Sequence, residues 1–213
     1  MEHISNIRKD YSKLKLDIDT ISRDPLTQFE KWFQEALDSG IPEPNALTLS
    51  TVSEDGRPSG RIVLLKGVEK GKFVFYSNYQ SQKGKELDKN PACSLTFFWA
   101  ELERQVRIEG IASHAASASS EKYFQSRPRE SQVGAWASPQ SAIISNREIL
   151  EERVKKIQEK FKGLEKLPKP KQWGGFEVEP LKIEFWQGRP NRLHDRIVFT
   201  KVDDAWKIHR LAP

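Results

Sequence analysis

The sequence predicts an α+β fold in which a barrel-like, mostly antiparallel β-sheet carries peripheral helices. Short β-prone runs separated by tight turns recur along the chain, a pattern typical of antiparallel strands. Stretches with helical spacing are inserted between these runs. The 213 residues suffice for one sizeable domain, which we assign to residues 23–213. Residues 1–22 lack a clear period and are expected to form a mobile N-terminal arm.

The first predicted element is a helix that begins at Asp24-Pro25. An aspartate N-cap followed by a proline at the first helical position is a typical helix start. Apolar residues then recur at helical spacing, at Leu26, Phe29, Phe33 and Leu37. Ser39-Gly40 supplies the stop signal.

Strands are predicted from residue 46 onward. They cover residues 46–52, 61–66, 72–77, 92–99 and 104–116, with turns at 54–56 and 67–71 and a short helix at 84–88. In the last of these strands Gln105, Arg107 and Glu109 share one face, because side chains alternate along a strand. Val106 and Ile108 share the other face, so one side is expected to meet a core and the other a polar environment.

The second half of the chain is predicted to add two helices and four closing strands. Residues 119–125 form a helix that ends at Ser126-Arg127-Pro128, and Ser145 with Glu148 gives a capping-box pattern for a charged helix reaching about Phe161. A stiff connector at 168–171 precedes strands at 175–178, 181–186, 196–201 and 205–210.

Composition and charge narrow the function classes. The net charge of +5 is spread along the chain, which favours phosphate-bearing small molecules over nucleic acid. No apolar run approaches the roughly 20 residues of a membrane span, and the N-terminus lacks a secretory pattern. The single cysteine, Cys93, lies in a strand-like run, which predicts an inert buried thiol in a reducing cytoplasm. The four histidines show no metal-ligand spacing, so no metal site is expected.

The C-terminal segment carries the densest set of candidate functional groups. Arg192, His194 and Arg196 stand at alternate positions of a predicted short loop between two strands. In an extended segment this spacing puts polar side chains on one side, which a plain core strand does not tolerate without partners. An arginine guanidinium can donate two hydrogen bonds to one phosphate, and an imidazole can gain or lose a proton near neutral pH. The segment is therefore expected to hold an anionic small molecule.

Two further segments allow both a functional and a structural interpretation. Arg61 and Lys66 flank a hydrophobic strand, either as solvated ends of an edge strand or as cations on opposite faces for two anions. Lys83 follows Ser81 at a helix start, which is either a plain serine cap or an anion site; the positive charge favours the anion site.

A third segment lies in the middle of the chain. Tyr123 and Arg127 are four residues apart on a predicted helix, either as a surface cation–aromatic pair or, with the Ser131 hydroxyl, as a ligand site. The polar stretch around Gln140 and Ser141 is compatible with a pocket wall. Tryptophans such as Trp136 and Trp186 are more often core residues than cofactor partners.

Together these segments resemble the pyridoxine (pyridoxamine) 5'-phosphate oxidase family of flavoenzymes. The matching stretches occur in the family's order and are Arg61-Ile62-Val63-Leu64-Leu65-Lys66, Phe75-Tyr76-Ser77-Asn78, Glu103-Arg104-Gln105-Val106, Tyr123-Phe124-Gln125-Ser126-Arg127-Pro128, Trp173-Gly174-Gly175-Phe176, Glu184-Phe185-Trp186-Gln187-Gly188, Arg192-Leu193-His194-Asp195-Arg196 and Arg210-Leu211-Ala212-Pro213. The resemblance implies a split β-barrel FMN-binding fold and a homodimer with the flavin at its interface.

The resemblance also implies roles for individual residues. The implied FMN contacts are Arg61, Lys66, Tyr76, Ser77, Gln82, Lys83, Gln105, Gln140, Ser141, Trp186 and Arg196. The implied substrate contacts are Lys66, Tyr123, Arg127, Ser131, Arg192 and His194, with Arg8 and Tyr11 of the arm as a lid. Arg192 and His194 are expected at the reacting carbon as the catalytic residues. Gln82 departs from the family, which usually carries an arginine there. Either this departure weakens the binding of the FMN phosphate, or Arg61 and Lys83 bind it together with the hydroxyls.

The implied reaction oxidises pyridoxine 5'-phosphate or pyridoxamine 5'-phosphate to pyridoxal 5'-phosphate, with dioxygen reduced to hydrogen peroxide. Two alternatives remain at this point. One is a split-barrel flavin reductase with another electron donor, which leaves the cluster at 123–131 unexplained. The other is a non-catalytic module that binds flavin, pyridoxal phosphate or nucleic acid.

Overall fold

The computed structural model describes residues 4–6 and 10–213 of the chain. In this part there are five α-helices: α1 (Pro25–Asp38), α2 (Gln82–Lys89), α3 (Ser117–Ser126), α4 (Arg129–Ala137) and α5 (Glu148–Lys160). The nine strands are β1 (Ala46–Val52), β2 (Pro58–Leu64), β3 (Gly67–Glu69), β4 (Lys72–Asn78), β5 (Ala92–Trp99), β6 (Arg104–His114), β7 (Trp173–Gln187), β8 (Asp195–Val202) and β9 (Ala205–Leu211).

The strands form one sheet whose pairings, within the described residues, are all antiparallel. Its order is β2-β1-β5-β6-β7-β4-β3, with β8 on β7 and β9 on β8. The first part of β7 pairs with β4 and its last part with β8, so the sheet divides along this strand. The far ends meet again where the backbone N–H of Lys66 donates to the Val74 carbonyl at 2.8 Å. This divided, curled sheet with peripheral helices confirms the predicted α+β split β-barrel.

Alternation along the strands separates the core from an outward face. The inner face carries a row of cross-strand neighbours that are 0% exposed, namely Leu49, Leu95, Ile108, Ile183 and Phe199. Phe29 and Trp32 of α1 complete this core. The adjacent row on the opposite face includes Arg107 and Glu184, which confirms the two faces predicted for β6. A second, smaller core lies among α3, α4, α5 and Trp173.

The first helix follows its sequence signals. The Asp24 carboxylate accepts hydrogen bonds from the backbone N–H groups of Leu26 and Thr27, which otherwise have no partner within the helix. The helix ends at Asp38, and Gly40 adopts a left-handed φ of 71° just beyond it. The predicted start and stop of α1 are both confirmed.

The predicted strands at 175–178 and 181–186 are wrong as separate elements, because β7 runs through both. Pro180 lies in the middle of β7 opposite Gly110 of β6, where the pairing register shifts. A Cβ on Gly110 would lie 2.2 Å from the Glu179 carbonyl oxygen, so only glycine permits this close approach. The register shift is a β-bulge that accommodates Pro180, and the proline therefore does not end the strand.

Other differences from the prediction concern β2, β3, α4 and the start of α5. The predicted turn at 67–71 contains the short β3, and β2 ends at Leu64, so Lys66 is not a strand residue. No helix is predicted over α4, where only Val133 and Ala137 are buried apolar residues and the stripe is too short to recognise. Arg147 is the N-cap residue of α5, and the side chain that binds the first turn is Asn146, whose Oδ1 accepts from the Ile149 N–H at 3.2 Å, and not the predicted Ser145.

The described part of the N-terminal arm lies against the domain. Leu16 and Ile21 are each 6% exposed and belong to the main core. The arm's mobility and its boundary at residue 22 stay predictions.

Three smaller findings bear on the sequence predictions. Burial raises the pKa of the Cys93 thiol to about 12, in keeping with an inert thiol. None of the helices described is long and apolar enough to cross a membrane. Residues 4–6 and 10–213 contain no group of three His, Cys, Asp or Glu side chains arranged to hold a metal.

Candidate active site

The first group of predicted site residues surrounds the start of α2. We call it the α2 cluster; it comprises Arg61, Ser77, Ser81, Lys83 and Glu86. Ser81 caps the helix by accepting from the Gly84 N–H at 3.3 Å. Lys83 is buried, and its Nζ lies 3.4 Å from both the Ser77 Oγ and the Ser81 Oγ. Burial, and then the charge of Arg61, lowers the pKa of Lys83. A buried ammonium whose hydrogen bonds within the described residues go to two neutral hydroxyls is suited to an anion.

Glu86 compensates the other cation of the α2 cluster. The Arg61 Nη2 lies 3.2 Å from the Glu86 Oε2 and 2.6 Å from the Ser59 Oγ, and the Gln82 Nε2 donates to the Glu86 Oε1 at 2.9 Å. Burial alone would raise the pKa of Glu86, but hydrogen bonds from Thr51, Gln82 and Ser59 and the charge of Arg61 hold it below its usual range. The carboxylate therefore stays ionised at neutral pH and balances Arg61.

A cavity of about 620 Å³ opens beside the α2 cluster. Its lining comprises Asn78, Gln80, Gln82, Lys85, Pro139, Gln140, Ser141 and Ala142. The Ser77 Oγ lies 3.4 Å from the Gln140 Oε1, which links the cluster to the loop after α4. The structure thus brings together six of the predicted cofactor residues, namely Arg61, Ser77, Gln82, Lys83, Gln140 and Ser141.

The second group, which we call the Arg127 cluster, comprises Tyr76, Tyr123, Arg127, Ser131 and Trp173. The Arg127 Cζ lies 4.7 Å from the centroid of the Trp173 ring. Its Nη1 is buried and has no hydrogen-bond partner among the described residues. Burial lowers the pKa of Arg127, partly opposed by Tyr123. Arg127 and Ser131 share a cavity of about 270 Å³, which Asn78, Gly134, Ala135, Ser138, Gln140 and Trp173 also line.

Aromatic stacking, and not helical spacing, gathers the Arg127 cluster. The rings of Tyr76 and Tyr123 stack with centroids 3.9 Å apart, and Tyr123 stacks 6.1 Å from Trp173. The prediction that Tyr123 and Arg127 share a helix face is wrong, because α3 ends at Ser126 and Arg127 is extended. Pro128 explains this end, since the residue before a proline avoids helical dihedral angles.

The third group lies where β7 and β8 meet the N-terminal arm. The ring of His194 lies 4.6 Å from that of Trp186, and the Tyr11 ring lies 5.8 Å from Trp186 and 6.0 Å from His194. The Arg189 N–H donates to the His194 Nδ1 at 3.1 Å, so a neutral His194 carries its proton on Nε2. Burial, and then the charge of Arg192, lowers the pKa of His194.

The prediction of an extended segment from Arg192 to Arg196 is wrong. Residues 190–192 form a single turn of 3₁₀ helix, and Arg192 is exposed with a left-handed φ of 61°. Arg196 instead lies in β8, where its Nε and Nη2 donate to the two Glu184 oxygens at 2.8 and 3.1 Å. The turn, not strand alternation, separates these arginines. Gln105, Trp186 and Arg196 are cross-strand neighbours and share the outward face of the sheet.

Two predicted site residues are not joined to these groups. Lys66 is exposed and lines a different cavity of about 540 Å³, with Phe29, Phe33 and Leu37 of α1. Arg8 lies outside the described residues.

The structure adds three residues that the sequence reasoning did not assign. Asn78 lines both the 620 Å³ and the 270 Å³ cavities, and its place in the stretch Tyr76-Ser77-Asn78 was a usable signal. Glu86 follows Gln82 by four residues on α2, the spacing of a helical side-chain pair. Glu184 holds Arg196 across β7 and β8, which only strand pairing reveals.

Comparisons with known proteins agree along the whole chain. The family described as "Pyridoxamine 5'-phosphate oxidase" matches residues 33–161, and "Pyridoxine 5'-phosphate oxidase C-terminal dimerisation region" matches residues 173–213. Proteins named "Pyridoxine/pyridoxamine 5'-phosphate oxidase" from Burkholderia mallei and Burkholderia thailandensis are 50% identical and aligned over 100% of both chains.

Two solved structures resemble the chain in fold. PhzG from Burkholderia lata 383, crystallised with tetrahydrophenazine-1-carboxylic acid, has a TM-score of 0.88 and 27% identity, covering 96% of this chain and 100% of that one. A pyridoxamine 5'-phosphate oxidase-related, FMN-binding protein from Nostoc punctiforme has a TM-score of 0.70 and 15% identity, covering 91% of this chain and 100% of that one. The family matches and the 50% identity over full length are decisive: this chain belongs to the pyridoxamine 5'-phosphate oxidase family.

Proposed function

We propose that this protein oxidises pyridoxine 5'-phosphate and pyridoxamine 5'-phosphate to pyridoxal 5'-phosphate, with FMN as cofactor and dioxygen as the acceptor that becomes hydrogen peroxide. The observation that carries the proposal is the buried Arg127 Nη1, which lacks a hydrogen-bond partner among the described residues. A buried donor without an acceptor is costly, and a substrate phosphate supplies that acceptor beside Ser131. The names of the 50% identical relatives support this substrate class.

The α2 cluster fits the phosphate of FMN. Lys83 is buried among the hydroxyls of Ser77 and Ser81, next to the first backbone N–H groups of α2, where the helix dipole also favours an anion. The adjacent cavity, with Gln140 and Ser141 on its wall, offers room beside that phosphate. FMN, when bound, supplies the chemistry that takes two electrons from the substrate and passes them to dioxygen.

Arg192 and His194 are proposed to orient the reacting end of the substrate. The His194 Nδ1 already accepts the Arg189 N–H, so its Nε2–H is the group left to bind substrate. Burial and the charge of Arg192 lower the pKa of His194 and so favour its neutral imidazole, with Arg192 beside it as the permanent cation. The chain's contribution is thus a fixed donor and a fixed charge that hold the reacting carbon in place.

A homodimer with FMN at its interface is supported by the separation of the site residues. Gln105, Trp186 and Arg196 lie on the outward face of the sheet, and no hydrogen bond among the described residues joins them to the α2 cluster. Ile62 and Phe98 are 65% and 56% exposed and lie on the same outward face. A second copy that covers this face shields these side chains from water and completes the site.

The test is spectroscopic and kinetic. Purified protein, supplemented with FMN, is expected to show a flavin absorption spectrum and to consume oxygen with either phosphorylated substrate while forming peroxide. Colourless protein that remains inactive after added FMN refutes the proposal. Arg192→Leu is expected to lower turnover while FMN stays bound; loss of flavin from this variant contradicts the proposed division between substrate and cofactor residues.

The same preparation separates the rival functions. Oxidation of a reduced nicotinamide donor without activity on the phosphorylated substrates indicates a flavin reductase. Bound flavin without turnover on any donor indicates a carrier. Salt-dependent retention on DNA without flavin indicates a nucleic-acid-binding module.

A further inference from the structure

We propose that Glu103 is a positioning residue, whose carboxylate holds the N-terminal segment so that Tyr11 packs against Trp186 and His194. We call residues 10–17 the strap. The kinetic consequence rests on the proposed function, because it treats Trp186 and His194 as parts of the flavin and substrate site. The contact itself is independent of that assignment.

Glu103 binds the backbone of the strap directly. Its Oε2 accepts the N–H of Ser12 at 2.9 Å and the N–H of Lys13 at 3.1 Å. The residue is only 2% exposed, so water competes little for these charge-assisted hydrogen bonds. Both amides lie immediately after Tyr11, and fixing them limits where its ring can go.

The backbone of Glu103 indicates that its side chain is needed. It has a left-handed conformation, with φ 54° and ψ 40°, which favours glycine and disfavours glutamate. The Glu103 carbonyl accepts the Gly188 N–H at 2.7 Å and the Gln187 Nε2 at 3.1 Å. Glu103 therefore joins two segments: its carboxylate binds the strap, and its carbonyl binds the start of the loop that carries Arg192 and His194.

Gly188 provides the space that Tyr11 occupies. A Cβ at position 188 would lie 2.7 Å from the Tyr11 Cβ and 3.0 Å from the Glu103 Cβ. The Tyr11 ring is half-buried and meets Trp186 edge-on, with the planes at 89°. Tyr11, Gly188 and Glu103 thus pack as one unit beside the His194 ring.

A second anchor limits what the loss of Glu103 can do. The Leu16 N–H donates to the Asp195 Oδ2 at 3.1 Å, and Arg210 lies 3.6 Å from the Asp17 carboxylate. Leu16 is also buried in the main core. Removing the Glu103 carboxylate therefore frees the backbone of the strap only as far as residue 13, where the Lys13 Nζ still donates to the Glu101 carbonyl at 2.6 Å, and leaves the domain folded.

The test compares Glu103→Gly with Glu101→Ala. Glycine suits the left-handed backbone, so the variant removes the carboxylate without straining the turn. Glu101 is an exposed carboxylate in the same turn, and its side chain makes no hydrogen bond to the described strap. Because Glu103→Gly loses the charge-assisted hydrogen bonds to the strap, trypsin is expected to cleave it after Lys13 about tenfold faster than the parent protein. Glu101→Ala is expected to be cleaved at the rate of the parent protein.

The kinetic arm asks whether Glu103 acts through Tyr11. With pyridoxamine 5'-phosphate, Glu103→Gly is expected to raise KM by about tenfold and to change kcat by less than about twofold, because the strap affects binding. Glu103→Gln keeps one acceptor oxygen, so its KM is expected to lie between that of Glu103→Gly and that of the parent protein. In a Tyr11→Ala background, Glu103→Gly is expected to leave KM unchanged, since coupled residues are not additive.

The outcomes separate the two proposals. Equal cleavage of Glu103→Gly and parent protein overturns the strap contact, and additive effects of the two substitutions on KM overturn the link through Tyr11. If the parent protein does not oxidise the phosphorylated substrates, the proposed function fails. The cleavage assay then still decides whether Glu103 holds the strap.

Discussion

The α2 cluster has two cations and the Arg127 cluster has one, and the two clusters balance their charges differently. In the α2 cluster Arg61 is paired with the buried Glu86, which also accepts from Gln82. In the Arg127 cluster the guanidinium lies over the Trp173 ring and has a buried Nη1 without an acceptor in the described chain. An anion at the α2 cluster must therefore share its cations with an internal carboxylate, whereas an anion at Arg127 supplies the missing acceptor itself. Ligand affinity is expected to depend most on the uncompensated arginine.

The largest expected effect is at Arg127. Arg127→Met keeps much of the contact with Trp173 but removes the charged donor proposed to bind a phosphate, and kcat/KM for pyridoxamine 5'-phosphate is expected to fall by about 100-fold. Steady-state oxygen consumption measures it. The matched control is Arg129→Met, since Arg129 donates to the Leu164 and Phe161 carbonyls. An equal loss in both variants contradicts a special role for the Arg127 site.

The second-largest effect is expected on FMN affinity, at Lys83 of the α2 cluster. Lys83→Met removes the buried ammonium, and FMN affinity is expected to fall by about 30-fold because one charge-assisted hydrogen bond and its charge are lost. Titration of the quenching of flavin fluorescence measures it. Lys89→Met, an exposed lysine in the last turn of the same helix, is the control. If Lys83→Met binds FMN as tightly as the parent protein, the phosphate is not bound at α2.

The pH dependence of stability should distinguish the clusters, because only the α2 cluster contains a carboxylate. The folded protein holds the pKa of Glu86 below its usual range, so Glu86 contributes stability that is present above the unfolded-state pKa and is lost as pH falls through the folded-state pKa. Glu86→Gln is expected to lower the free energy of unfolding at pH 7 by about 2 kcal/mol. It should also flatten the acid dependence in denaturant titrations of the apoprotein. An unchanged acid slope shows that Glu86 does not balance Arg61 in solution.

The smallest change in ligand affinity is expected at Gln82. Gln82→Arg adds a cation at the mouth of the α2 cluster, and FMN affinity is expected to rise by only about fivefold, because Gln82 is exposed and Glu86 already takes part of the charge. Gln80→Arg adds the same charge to the wall of the same cavity. If both variants tighten FMN equally, the effect is general electrostatic attraction and not recognition of the phosphate.

Local signals were sufficient for much of the fold. The Asp24-Pro25 start of α1 and the two faces of β6 follow from the chain itself, because capping and alternation act over a few residues. The error at β7 has a non-local cause: Pro180 continues the strand only because the pairing with β6 shifts register beside it and Gly110 of β6 permits the close approach. Helix α4 was missed for a similar reason, since Val133 is buried by residues of α5 and by Trp173.

For the site, the sequence by itself determined which residue types are present and, through family motifs, which segments carry them. It could not determine that Arg61 is compensated by Glu86 while the buried Arg127 Nη1 has no protein acceptor in the described chain, or that a turn sets Arg192 apart from Arg196. Those outcomes depend on burial and on atoms far apart along the chain. Desolvation and hydrogen bonding act over a few ångströms in space, and only tertiary packing decides which charges come within that distance.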